Sequence, residues 1–143
     1  SMDMQKDINY RLALAQGFLQ EAEENYTTQH WRACVSSAIL VIENAGLAVL
    51  MLFGVSPMTH KPGMHLKHLV SEGTLHSDLA ELIAQLLPYL EQYDSHEKML
   101  AKYGDETTYE LPWQLYDVAK ATAALDAARN AVRISTTMAE RGV

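Results

Sequence analysis

Few side chains in this sequence could do chemistry, and they are scattered. Glu43 comes first, because it lies in the run Trp31 to Phe53, WRACVSSAILVIENAGLAVLMLF, which is otherwise apolar on nearly every side. A carboxylate on so apolar a helix must be paired, hydrogen-bonded or protonated. It is either a cleft acid facing a ligand or dimer mate, or the partner of a neighbouring group such as Arg129 or Arg133; the second reading is favoured. Arg129 and Arg133 lie four apart in the last helical stretch, where they could clamp one phosphate or pair with Asp126 or Glu43. His60, His65, His68 and His76 form the histidine cluster, and His65 and His68 have a spacing that can share a metal. Neither cysteine nor a Glu-x-x-His motif accompanies them, so a di-iron bundle lacks its ligands and no metal is expected. Helix-capping or solvated histidines are the favoured reading. No Gly-rich phosphate loop, nucleophile elbow or zinc-spaced cysteine pair occurs, so no catalytic residue or cofactor is assigned.

The elements that must position these groups are helices. Trp31 to Phe53 has no broad polar face and must be covered on several sides, as the central rod of a helical core. Its length also permits a membrane span, but Glu43 and Asn44 at its middle would cost about 2.5–3.5 kcal/mol for an ionisable group alone. A buried core helix, and no membrane, is the reading adopted. Before it, Ile8, Leu12, Ala15, Leu19, Ala22 and Tyr26 form one stripe of an amphipathic helix over Asp7 to Tyr26. A short turn makes these two helices antiparallel, with Thr28 as a candidate cap. Gly54 ends the rod, and SPMTHKPGM reads as a loop before a short helix over His65 to Ser71. One helix, kinked at Pro88, is expected from Leu75 to about Lys102. Tyr103 to Leu115 has no period and reads as an ordered loop pinned by Tyr109, Leu111 and Trp113. The last helix, about Tyr116 to Met138, has an alanine-rich stripe that permits close packing on the rod, and Asp117 suits its positive end. The expected fold is all-α: an up-and-down four-helix bundle with one additional short helix.

At 143 residues the chain forms one domain, large enough to bury about two thirds of its unfolded surface. Residues 1–6 are expected to be a flexible N-terminus, in which Ser1-Met2 reads as an expression scar. With no signal peptide and one cysteine, Cys34, inside the rod, the expectation is a reducing cytoplasm and a thiol that acts as a small hydrophobe. The formal charge of −7 repels phosphate backbones and weighs against nucleic acid as a partner.

The run FLQEAEENYTTQHWRACVSSAILVIENAGLAVLMLFGV resembles the opening helical hairpin of HEPN domains, small all-α proteins. Phe18, Leu19, Glu21, Ala22, Trp31, Arg32, Ala33, Ser36, Ala38, Glu43, Ala45 and Gly54 sit where that family's pattern wants them. PMTHKPGMHLKHLV and KYGDETTYELPWQLYDVAKATAALDAARNAVR are similar to its middle and closing segments, so the likeness covers almost the whole chain. Ribonuclease members carry an Arg followed by four to six residues and a His, chemistry that suits RNA cleavage. None of Arg11, Arg32, Arg129, Arg133 and Arg141 is followed by such a His. A second departure is Leu47, where many members have Lys one turn after the core Glu.

The resemblance therefore implies a noncatalytic interaction or nucleotide-binding module, homodimeric, partnering a minimal nucleotidyltransferase in a toxin–antitoxin-like pair. It also marks Lys102, Tyr103, Asp105 and Glu106 as a stretch that either lines a nucleotide cleft or covers the end of the core. Glu43, Lys102, Tyr103, Asp105, Arg129 and Arg133 are the candidate ligand-binding residues. Two alternatives remain: a degenerate ribonuclease using His60 or His96 with a nearby Arg, and a bundle that carries a small apolar ligand.

Overall fold

The computed structural model describes residues 3–55 and 61–143. Among them the chain forms seven helices and no strand: α1 Met4–Thr27, α2 Trp31–Leu52, α3 Pro62–Ser71, α4 Ser77–Gln92, α5 Ser95–Tyr103, α6 Pro112–Leu115 and α7 Val118–Arg141. The Asp3 carboxylate accepts the Lys6 N–H at 3.1 Å, so α1 starts at Met4, ahead of its apolar stripe and inside the segment expected to be flexible.

α2 is long and apolar enough to cross a membrane, and in this fold most of its surface is covered by other helices of the same chain. Ile39, Ile42, Leu50 and Val49 are fully buried, each contributing on the order of 2 kcal/mol through apolar area removed from water. Its polar interruptions are satisfied locally. Arg11 donates to the Asn44 side-chain oxygen at 3.0 Å, the Asn44 amide donates to the Leu40 carbonyl at 2.9 Å, and the Asn25 amide donates to the Ser37 hydroxyl at 3.4 Å. These pairs run in opposite sequence directions, so α1 and α2 are antiparallel. Thr28 closes α1 rather than capping α2: its hydroxyl bonds the Glu24 carbonyl, and His30 takes the N-cap position with its ring on the Thr28 hydroxyl at 2.8 Å and no bond to the helix backbone.

α7 packs against both. Ala121, Ala124, Ala127, Ala128 and Ala131 are buried there, and small side chains let helices approach closely. Tyr26 shares a 2.9 Å hydrogen bond with Thr122, and Asn130 donates to the Tyr89 hydroxyl at 3.0 Å. With Arg129 beside Glu23 and Arg141 beside Asp78, α7 runs antiparallel to α1 and to α4.

Three further expectations are corrected. α3 begins at Pro62, not His65, because proline at the first helical position loses no hydrogen bond; residues 56–60 of the expected loop lie outside the described residues. The single helix over 75–102 is two helices. Pro88 is tolerated inside α4, and the break comes at Tyr93 and Asp94, where the Asp94 carboxylate accepts the Glu97 N–H at 3.1 Å and starts α5. Nor do Tyr109, Leu111 and Trp113 pin the loop before α7, since they are 90%, 55% and 69% exposed. Buried Pro112 and Tyr116 hold it instead, with Arg32 donating to the Ala101 carbonyl at 2.9 Å to fasten the end of α5.

Candidate functional site

The break between α4 and α5 opens a cleft of about 520 Å³ against α2 and α3. Its apolar lining comes from Ile39, Pro62, Met64 and Leu90, with the Tyr93 ring beside them. Gly46 favours this arrangement: a methyl group there would come within 2.7 Å of the Leu90 Cδ2 and 3.3 Å of the Pro62 ring, so glycine lets those two seat directly on α2 without displacing the Leu90 side chain. Over this lining lie Glu43, Glu91 and Asp94 and three lysines, Lys61, Lys67 and Lys98. Lys61 and Lys67 belong to α3 and its N-cap, and Glu91 and Asp94 to the end of α4 and the turn beyond it. The lining thus carries cationic groups from one element and anionic groups from another, and its volume falls within the range of small-molecule sites.

Glu43 pairs with Lys98 at 3.0 Å, not with Arg129 or Arg133. Lys98 reaches it because the Asp94 cap fixes the start of α5 one turn earlier. Tyr93, mostly buried here, has its hydroxyl pKa raised by that burial and further by Glu97 and Tyr89, so it remains a neutral hydrogen-bonding group.

Of the six candidate residues, only Glu43 lines this cleft. Lys102 and Tyr103 end α5, exposed, with the Lys102 ammonium 5.2 Å from the Tyr103 ring centroid. Asp105 sits in the turn after α5, where hydrogen bonds from the Thr107 hydroxyl at 2.6 Å and the Thr107 N–H at 3.0 Å hold its carboxyl below the usual range. Arg129 lies between Glu23 at 3.9 Å and Asp126 at 3.6 Å. Arg133, one turn on, is exposed and makes no ion pair among the described residues. Lys61, Lys67, Lys98, Glu91, Asp94 and Tyr93 were missed in the sequence. The one local signal was Asp94 three residues before Glu97, a helix-start pattern inside an apparently continuous stripe.

The remaining groups of chemical interest lie elsewhere. His65 and His68 are exposed on α3, His68 contacts Glu72 at 3.1 Å, and His76 precedes α4. Among the described residues no three His, Cys, Asp or Glu side chains gather as a metal site would require; His60 lies outside those residues. Cys34 is fully buried, and burial pushes its thiol up to about 11 against the opposing charge of Arg129. A second cavity of about 240 Å³ contains Tyr116 and Glu97, joined by a 2.8 Å hydrogen bond. Burial, and after it that bond, raise the Tyr116 pKa.

No family model matches this chain, and no curated protein matches it.

Proposed function

We propose that the chain is a noncatalytic, HEPN-like helical bundle, cytoplasmic and homodimeric, that holds a small nucleotide-like molecule in the α2–α3–α4/α5 cleft. In this reading it serves a nucleotidyltransferase partner in a toxin–antitoxin-like pair. The alternating directions of α1, α2, α4 and α7 support the bundle. The observation that carries the ligand is the cleft's lining. Lys61 and Lys67 suit a phosphate, Tyr93, Leu90 and Met64 suit a flat ring, and Glu91 and Asp94 suit the amino groups of a base. A noncatalytic role is supported by the sequence, which lacks the ribonuclease motif. Among the described residues, no hydrogen bond or ion pair joins His96 to an arginine.

Titration calorimetry with adenosine and guanosine mono-, di- and triphosphates tests this reading. One of them should bind the wild-type chain saturably. Lys67→Glu should lower its affinity on the order of tenfold, the loss of one charge-assisted contact worth about 1.4 kcal/mol. Lys98→Met, which leaves the Glu43 carboxylate unpaired in the lining and so repels a phosphate, should also weaken binding while changing unfolding free energy by less than about 1 kcal/mol, because the Glu43–Lys98 pair is partly exposed. No binding by any of the six removes the nucleotide reading. RNA cleaved by the purified chain would restore the enzyme reading.

A further inference from the structure

The stretch from 103 to 118, YGDETTYELPWQLYDV, contains four acidic residues and neither lysine nor arginine. Two lysines border it, Lys102 with its ammonium 5.2 Å from the Tyr103 ring and Lys120 bonded to the Leu115 carbonyl, so carboxylates still outnumber the cations beside them. It also holds five of the nine large apolar side chains that are exposed among the described residues: Tyr103, Tyr109, Leu111, Trp113 and Val118. Scattered exposed apolar groups need no explanation, whereas a cluster with a charged rim marks an interaction surface. The surface is also built rather than loose. Asp105 and Glu110 exchange backbone hydrogen bonds of 2.9 and 3.1 Å, and the Leu111 N–H donates to the Gln114 side chain at 2.8 Å. Gly104, at φ +78, closes the turn where any side chain would collide with the Glu110 carbonyl.

Tyr109 is the most telling residue. Its backbone is left-handed at φ +60, a conformation that costs a non-glycine residue roughly 1–3 kcal/mol, and its ring is 90% exposed. Burial returns nothing for that strain in the isolated chain. A backbone fixed by the Asp105–Glu110 bonds does suit binding, since the turn that presents the ring has little backbone freedom left to lose on association.

We propose that this acid-rimmed aromatic surface docks a partner protein through a basic amphipathic segment, its apolar anchors on Tyr109 and Trp113 and its lysines or arginines on the surrounding carboxylates. Charge selects the occupant. A second copy placed by a two-fold axis would set these four carboxylates against four more, and RNA and anionic lipid carry the same sign. Asp105, held ionised by Thr107, keeps the rim charged well below neutral pH. The proposal names the docking surface that a partner reading needs, and it stands if the cleft binds no nucleotide.

The test is nitrogen-15 NMR of the full chain, following the Trp113 indole. The probes are a helical peptide with leucine and phenylalanine on one face and lysine and arginine on the other, its glutamate counterpart, polyuridylate RNA and phosphatidylglycerol vesicles. The cationic peptide should shift the Trp113 signal saturably, and Trp113→Ser and Glu106→Lys should each weaken it on the order of tenfold, as expected for an anchor and a rim charge. Tyr109→Gly should also weaken binding while raising the thermal midpoint, because glycine relieves the backbone strain. An unmoved Trp113 signal, equal binding of the glutamate peptide, a shift caused by RNA or vesicles, or self-association through Trp113 overturns the proposal. So does a Tyr109→Gly chain that melts lower, which would give the ring a role in folding.

Discussion

Glu43 shows how far a single residue can be read. Its type and its place on an apolar helix say that it needs a partner, and the partner is there, but it is Lys98, separated by 55 positions in the chain. No local pattern links two residues at that distance; only the packing of α5 on α2 does. Cys34 is the simpler case, because burial alone decides its chemistry. Its thiol is raised from an ordinary value of 9.0 to about 11, so the folded chain keeps a proton that the unfolded chain releases. The stabilisation is therefore complete below pH 9 and is lost as pH rises from about 9 towards 11. Denaturant unfolding of wild type and Cys34→Ala across that window should show the wild type losing stability more steeply, by an amount on the order of 2 kcal/mol. Equal slopes would mean that the thiol is not desolvated. The buried tyrosines Tyr93 and Tyr116 act in the same direction at higher pH, and both chains share that loss.

Helices with sustained stripes were legible as elements, and their ends were less so. α1, α2 and α7 fall within a few residues of where periodicity and end signals place them, because an apolar face of that length has one efficient way to be buried. The division between α4 and α5 was hidden, since the stripe from Leu75 to Tyr93 stays in phase up to the break and Pro88 draws attention to the wrong position. α3 was shortened for a related reason: Pro62 and Gly63 read as breakers, although proline at a helix start is a starter. The aromatic loop failed differently, because residue type argued for burial where no period could say which way each ring points. At this scale the critical contact is the Asp94 cap, which both starts α5 and aims Lys98 at the cleft. Asp94→Ala should lower unfolding free energy by about 1 kcal/mol, measured by urea titration, with circular dichroism registering a small loss of helix. A chain unchanged in both would show that packing on α2, not the cap, sets where α5 begins.

At the scale of the whole molecule the governing quantity is charge. Each copy carries −7, so two copies repel at any distance shorter than the screening length, about 10 Å at 0.1 M salt. The proposed homodimer must therefore gain its energy from apolar contact, on a surface other than the acidic one between 103 and 118, where like charges would face each other across the two-fold axis. Salt should then strengthen the dimer by weakening the repulsion while leaving the apolar contact intact. In sedimentation at fixed protein concentration, the fraction at twice 16.0 kDa should rise as salt is raised from low ionic strength to about 0.5 M. Glu106→Lys takes each copy from −7 to −5, so it should raise the dimer fraction at low salt and leave it unchanged near about 0.5 M, where the repulsion is already screened. A dimer that weakens with salt would instead be held by ion pairs, for which Lys6, Arg133 and the acidic face of α1 would be the groups to examine. A sedimentation profile at the single-chain mass under every condition would take the homodimer out of the proposed function, leaving the nucleotide cleft and the protein-docking surface as properties of one chain.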